Sequence, residues 1–82
     1  MIWIVYILEC TDGSLYTGIT NDLERRMKAH ATGKGAQYTK RRGPFTVRYT
    51  ESLDSKGAAL QREAAIKSLD RAAKVALIAS MS

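Results

Sequence analysis

Two short strand-like runs joined through a three-residue turn constrain this chain more than any other feature. Ile2 to Glu9 is rich in Ile, Val, Trp and Tyr, side chains that suit a pleated, half-buried surface. Thr11-Asp12-Gly13 follows with turn chemistry, and Leu15 to Ile19 is a second short strand. Three-residue hairpin loops combine a type I turn with a residue in the left-handed conformation, and Gly13 stands in that place. The register then pairs Cys10 with Ser14, Leu8 with Tyr16 and Tyr6 with Gly18. Paired side chains share a face, so Tyr6 and Tyr16 emerge on the same side as diagonal neighbours. Gly18, opposite Tyr6, leaves a gap where two phenols can hold a water and a phosphate oxygen. A two-residue Asp12-Gly13 turn would shift the register by one and separate the tyrosines. Tyrosines at alternating strand positions are also ordinary sheet packing, so the hairpin by itself leaves both readings open.

The remaining elements follow from caps and periodicity. Asn21 with Glu24 three residues later resembles a capping box and opens a helix to about Ala31, which Gly33 ends. A Gly-rich basic segment, Gly33 to Pro44, follows and has room for a short helical turn. Phe45 to Leu53 alternates Phe45, Val47 and Tyr49 with Thr46, Arg48 and Thr50, a third strand with one polar face. Asp54 or Ser55 caps a helix to about Leu69, and Arg71 to about Ala79 forms the last. The order β-β-α-β-α-α predicts an α+β fold, a three-stranded antiparallel sheet packed with helices.

Composition narrows the class. Eighty-two residues predict a single domain, 1–82, with a modest core. The run from Ile2 to Leu8 is far too short to span a bilayer and reads as a buried strand, so neither a membrane nor export is expected. One cysteine, Cys10, excludes an internal disulfide framework and a Cys-based zinc site and fits a cytoplasmic setting. Thirteen Lys and Arg against eight Asp and Glu give a net charge of +5. That excess suits a polyanion such as nucleic acid, because neutralising phosphates releases condensed counterions; a basic surface that aids solubility is the plainer account.

The ordered motifs resemble one family. Val5-Tyr6-Ile7 and, ten residues on from tyrosine to tyrosine, Tyr16-Thr17-Gly18 are similar to the GIY…YIG signature of GIY-YIG nucleases. Thr20 to His30 resembles the family's first helix, with its essential arginine and, often, a histidine one turn later. Glu63-Ala64-Ala65-Ile66-Lys67 resembles the segment that bears its metal-binding glutamate. The match runs from Trp3 to about Leu69. Val5 replaces the first glycine and Thr17 the central isoleucine of the second triplet; neither is a chemical group in the mechanism. These departures point to the small stand-alone bacterial branch.

Residue facing adds to the resemblance. At about 100° per residue, Leu23, Arg26, Met27 and His30 share one side of the first helix, while Glu24, Arg25 and Lys28 face solvent. An arginine beside Leu23 and Met27 is expensive to bury unless an anion waits for it; otherwise it snorkels or pairs with a carboxylate. The resemblance implies that Arg26 stabilises charge developing on a phosphate. His30 is then a general base, a general acid or a phosphate ligand. In the second helix, Ala59, Leu60, Glu63 and Ile66 fall on one arc. A Glu63–Lys67 ion pair is the plain account of that carboxylate, and the resemblance favours a ligand for a single Mg²⁺ or Mn²⁺.

By the same resemblance Tyr6 orients or deprotonates the attacking water and Tyr16 holds that water or a non-bridging oxygen. Whether His30 or Tyr6 is the base stays open. Lys34, Lys40, Arg41 and Arg42 around Tyr38 offer phosphate contacts and a stacking surface for an unpaired base. Arg62, Arg71 and Lys74 read as surface charges, and Trp3 and Cys10 as packing. The expected activity is hydrolysis of phosphodiester bonds, DNA more than RNA, with single-stranded or branched substrates favoured. A non-catalytic nucleic-acid binder and a protein-interaction module are the alternatives, though neither needs Tyr6, Tyr16, Arg26 and Glu63 together.

Overall fold

A computed structural model of the chain describes residues 2–31 and 45–80. Its elements are β1 (Trp3–Glu9), β2 (Leu15–Thr20), α1 (Leu23–Ala31), β3 (Thr46–Leu53), α2 (Lys56–Lys67) and α3 (Arg71–Ala79). The fold is α+β, with one antiparallel sheet in the order β2-β1-β3. The most apolar strand lies in the middle, as it must if both of its faces are to be covered.

The hairpin has the three-residue loop. Gly13 carries φ +84°, where a Cβ would be strained, and its N–H donates to the Cys10 carbonyl at 2.9 Å. The Cys10 N–H donates to the Ser14 carbonyl at 2.9 Å, and the Asp12 carboxylate accepts from the Ser14 N–H and hydroxyl. This closure sets the register Leu8 with Tyr16 and Tyr6 with Gly18.

Alternation along β1 then divides the molecule. Val5 and Ile7 point to one face, where they form a buried core with Tyr49 of β3 and Ala59 and Ile66 of α2. Trp3, Ile19, Leu53 and, from α3, Leu77 and Ile78 pack around it. Tyr6 and Leu8 point to the other face and are also fully buried. Cys10 is buried as well.

Three local expectations are corrected. First, α1 is capped by Asp22, not Asn21: the Asp22 carboxylate accepts the Arg25 N–H at 3.1 Å. Because β2 extends to Thr20, whose hydroxyl accepts the Asp22 N–H at 3.0 Å, Asn21 is used up in the turn between strand and helix. Second, Val47 and Tyr49 do not share a face. Ile7 pairs with Tyr49 but Leu8 pairs with Val47, so Arg48 is the extra residue of a bulge. Tyr49 is buried while Val47 is exposed, and Arg48 reaches Glu9 at 2.6 Å. Third, Leu60 lies outside the buried arc of α2 and is exposed. It stands 100° round the helix from Ala59, whereas Glu63 and Ile66 stand within 40° of it.

Of the two caps expected for the second helix Ser55 is the one used, and the last helix has a cap of its own in Asp70. The Ser55 side chain accepts the Ala58 N–H at the start of α2, and Asp70 does the same for Ala73 in α3. Arg62 is more than a surface charge. Glu51 accepts from both Arg62 at 3.0 Å and the Tyr49 hydroxyl at 2.5 Å, a link that ties α2 to β3 on the core face.

Candidate active site

The site grows from the second face of the sheet, where β1 and β2 present Tyr6 and Tyr16 and α1 presents Arg26 and His30. The two phenol rings lie 6.4 Å apart between centroids. His30 completes a triangle of rings, 6.0 Å from Tyr6 and 5.6 Å from Tyr16, and the Phe45 ring lies edge-on to it at 5.8 Å. The helical facing holds: Leu23, Arg26 and Met27 are half-buried and His30 is buried, while Glu24, Arg25 and Lys28 are exposed.

The Tyr6 hydroxyl is the centre of the arrangement. It lies 3.0 Å from His30 Nε2, and Arg26 Nε donates to it at 3.3 Å. A phenol has one donor and two acceptor positions, so when it donates to His30 and accepts from Arg26 one acceptor position is left. Tyr16 and Arg26 are half-buried whereas Tyr6 and His30 are not exposed, so the first pair form the rim and the second pair the floor.

Gly18 makes this floor possible in an unexpected way. A Cβ there would stand 2.6 Å from the Tyr6 hydroxyl oxygen and 3.1 Å from Tyr16 Cε2. The space opposite Tyr6 is therefore filled by the phenol itself rather than left as a gap for water. Gly18 has no positive φ, so its backbone does not call for glycine; the Tyr6 hydroxyl does.

Electrostatics follow from burial. Burial is the main influence raising the Tyr6 phenol above its ordinary value of 10; Arg26 opposes it, and the charges of Tyr16 and Glu63 add to it. Burial, with Arg26 nearby, lowers His30 below 6.5, so the ring is neutral at pH 7. The hydrogen bond to Tyr6 helps to hold Arg26 charged. In the neutral tautomer whose proton is on Nδ1, His30 Nε2 accepts the Tyr6 hydroxyl proton, and we assign that tautomer to the ring.

Glu63 reaches the same site from α2, with its side chain 19% exposed. Its contact is the Lys67 ammonium, 3.4 Å from Oε2, and Lys67 in turn lies 6.0 Å from the centre of the Tyr16 ring. That is longer than a charge-assisted hydrogen bond of about 2.7–2.9 Å, so the carboxylate retains acceptor capacity. Among the described residues no group of three His, Cys, Asp or Glu gathers at one point. The donors here are oxygens on one carboxylate beside two phenols, a set that suits a hard divalent ion retaining most of its waters.

Sequence reasoning underrated two neighbours. Lys67 was visible as the fourth residue after Glu63, but only as its helical partner. Phe45 was visible only as the start of a strand. Lys34, Tyr38, Lys40, Arg41 and Arg42 lie outside the described residues.

Residues 2–76 match the GIY-YIG catalytic domain. The chain belongs to the GIY-YIG family. Among similar proteins, a UPF0213 protein of Halobacterium salinarum is 55% identical over 89% of this chain and 95% of its own length. A UPF0213 protein of Clostridium perfringens is 54% identical over 95% of this chain and 84% of its own. The solution structure of a UPF0213 protein from Bacillus halodurans covers 96% of this chain and 84% of its own at 51% identity, with a TM-score of 0.63. The solution structure of the protein EF2693 from E. faecalis covers 99% of this chain and 86% of its own at 38% identity, with a TM-score of 0.69. The branch of small GIY-YIG proteins to which the chain is similar thus extends to archaea as well as bacteria. No helix among the described residues is long and apolar enough to cross a membrane.

Proposed function

We propose that this GIY-YIG protein is a divalent-metal-dependent nuclease that hydrolyses phosphodiester bonds, in DNA more than RNA, and favours single-stranded or branched substrates. The observation that carries the reading is the Tyr6 hydroxyl, set between His30 Nε2 at 3.0 Å and Arg26 Nε at 3.3 Å. A phenol with a raised pKa is a poor base alone, but a phenol bonded to a neutral imidazole can pass a proton on. The attacking water gives a proton to the Tyr6 oxygen as Tyr6 gives its own to His30. His30 is thus the final base and Tyr6 the relay, which meets the water once the phenol, fully covered in the free protein, is uncovered on its substrate side. Arg26, on the rim, stabilises the charge that develops on the non-bridging oxygens, and Tyr16 orients the water or one of those oxygens.

Glu63 would hold the metal, most simply Mg²⁺ or Mn²⁺, whose charge would offset that of the phosphate and the departing oxygen. The basic residues Lys34, Lys40, Arg41 and Arg42, with Tyr38, would grip the substrate strand. Backbone contacts and base stacking carry little sequence information, which supports low sequence selectivity. Labelled single-stranded, branched and duplex DNA and the matching RNAs, incubated with Mg²⁺ and again with chelator, test the reading. Metal-dependent cutting with single-stranded or branched DNA preferred is the expected result; cutting of none of them contradicts it.

A further inference from the structure

Glu63 and Lys67 sit one helical turn apart on α2, and such pairs usually do no more than decorate a surface. This pair differs in where it stands. Glu63 is largely covered, its charge is felt at Tyr6, and the Lys67 ammonium sits 6.0 Å from the centre of the Tyr16 ring as well as 3.4 Å from the carboxylate. The ammonium therefore occupies the rim of the site, against the group that would receive a divalent cation. An ammonium and a dication cannot share one carboxylate closely without repulsion. Lysine carries its charge on a flexible four-carbon stem, and the Lys67 residue is exposed, so the ammonium can leave Glu63 with little loss.

We infer that Lys67 is a second, mobile cation of the site: it neutralises Glu63 in the free protein, yields that carboxylate to the metal, and then binds a non-bridging oxygen of the substrate phosphate beside Tyr16. The inference rests on the reading of Glu63 as the metal ligand. It gives a lysine, held near an aromatic face, the role of a point charge for phosphate. It also makes metal and substrate binding mutually supportive, since the ammonium displaced from Glu63 becomes available to phosphate.

The test separates the two roles by their opposite signs. Mn²⁺ is titrated calorimetrically into the free wild-type, Lys67→Met and Lys67→Arg proteins, and single-turnover cleavage of labelled single-stranded DNA is then measured at saturating Mn²⁺. Removing a competing cation should tighten Mn²⁺ binding by Lys67→Met about three- to tenfold, while its cleavage slows by roughly tenfold or more. Lys67→Arg should keep Mn²⁺ affinity near wild type and recover most of the rate. Wild-type protein that binds Mn²⁺ and cuts, with affinity in Lys67→Met unchanged or weaker, overturns the role of Lys67 alone. Unchanged cleavage by Lys67→Met at saturating Mn²⁺ does the same. No Mn²⁺ binding by wild type overturns the Glu63 reading and this inference with it.

Discussion

Arg25 and Arg26 are adjacent and chemically identical, and only their facing distinguishes them. Arg26 is half-buried and bonds to Tyr6; Arg25 is exposed. Arg26→Ala should lower turnover by about 10²–10³, the usual contribution of a donor to developing phosphate charge, and Arg25→Ala by far less. Steady-state kinetics of the two variants, with equal losses, would contradict the facing argument. His30 adds a pH dependence whose sign is set by burial. Its folded pKa lies below the unfolded value of 6.5, so the unfolded chain binds the proton first. Stability is then fully present above 6.5 and falls as pH drops through 6.5 towards the folded pKa. Turnover should fall in the same direction, because a protonated ring cannot accept from Tyr6. Urea midpoints and rates measured between pH 5 and 8 test both, and a His30→Gln protein should lose that limb of the stability profile.

At the scale of the elements, Gly18 joins strand register to chemistry. Gly18→Ala places a methyl 2.6 Å from the Tyr6 hydroxyl oxygen, which His30 and Arg26 hold in place. The ring must shift, at a cost of about 1–3 kcal/mol in stability and with loss of the Tyr6–His30 bond. Thermal melts and rates should both register the change; a variant as stable and active as wild type would show that Tyr6 is not held there. The pairing of Tyr6 with Gly18 was legible because loop length and Gly13 together determine register. The helical facing of Arg26 and His30 was legible because 3.6 residues per turn allows no other arrangement. The filling of the Gly18 space was not, since it depends on how α1 seats His30 against the phenol. Nor was the bulge at Arg48: the sequence alternates smoothly through it, and only pairing with β1 reveals the extra residue. Lys67 was readable as a partner of Glu63 but not as a neighbour of Tyr16, which depends on how α2 packs against the sheet.

For the molecule as a whole, a net charge of +5 and a site built from a hairpin and two helices leave little structure for reading base edges. Binding should weaken steeply with salt and vary little with sequence. Replacing Lys40, Arg41 and Arg42 together by alanine should flatten the slope of log affinity against log salt by about 2–3, roughly one phosphate contact each. Fluorescence anisotropy with single-stranded DNA across a salt series measures it; an unchanged slope would remove that segment from the interface. The central claim, a metal-dependent nuclease with Glu63 as metal ligand, is tested most directly by single-turnover cleavage of labelled single-stranded DNA with Mg²⁺, by wild type and Glu63→Ala. Wild type should cut, stop on addition of chelator and resume with Mg²⁺, while Glu63→Ala stays folded, binds the DNA and does not cut. Cutting by Glu63→Ala at the wild-type rate, or by wild type in the presence of chelator, would contradict the account.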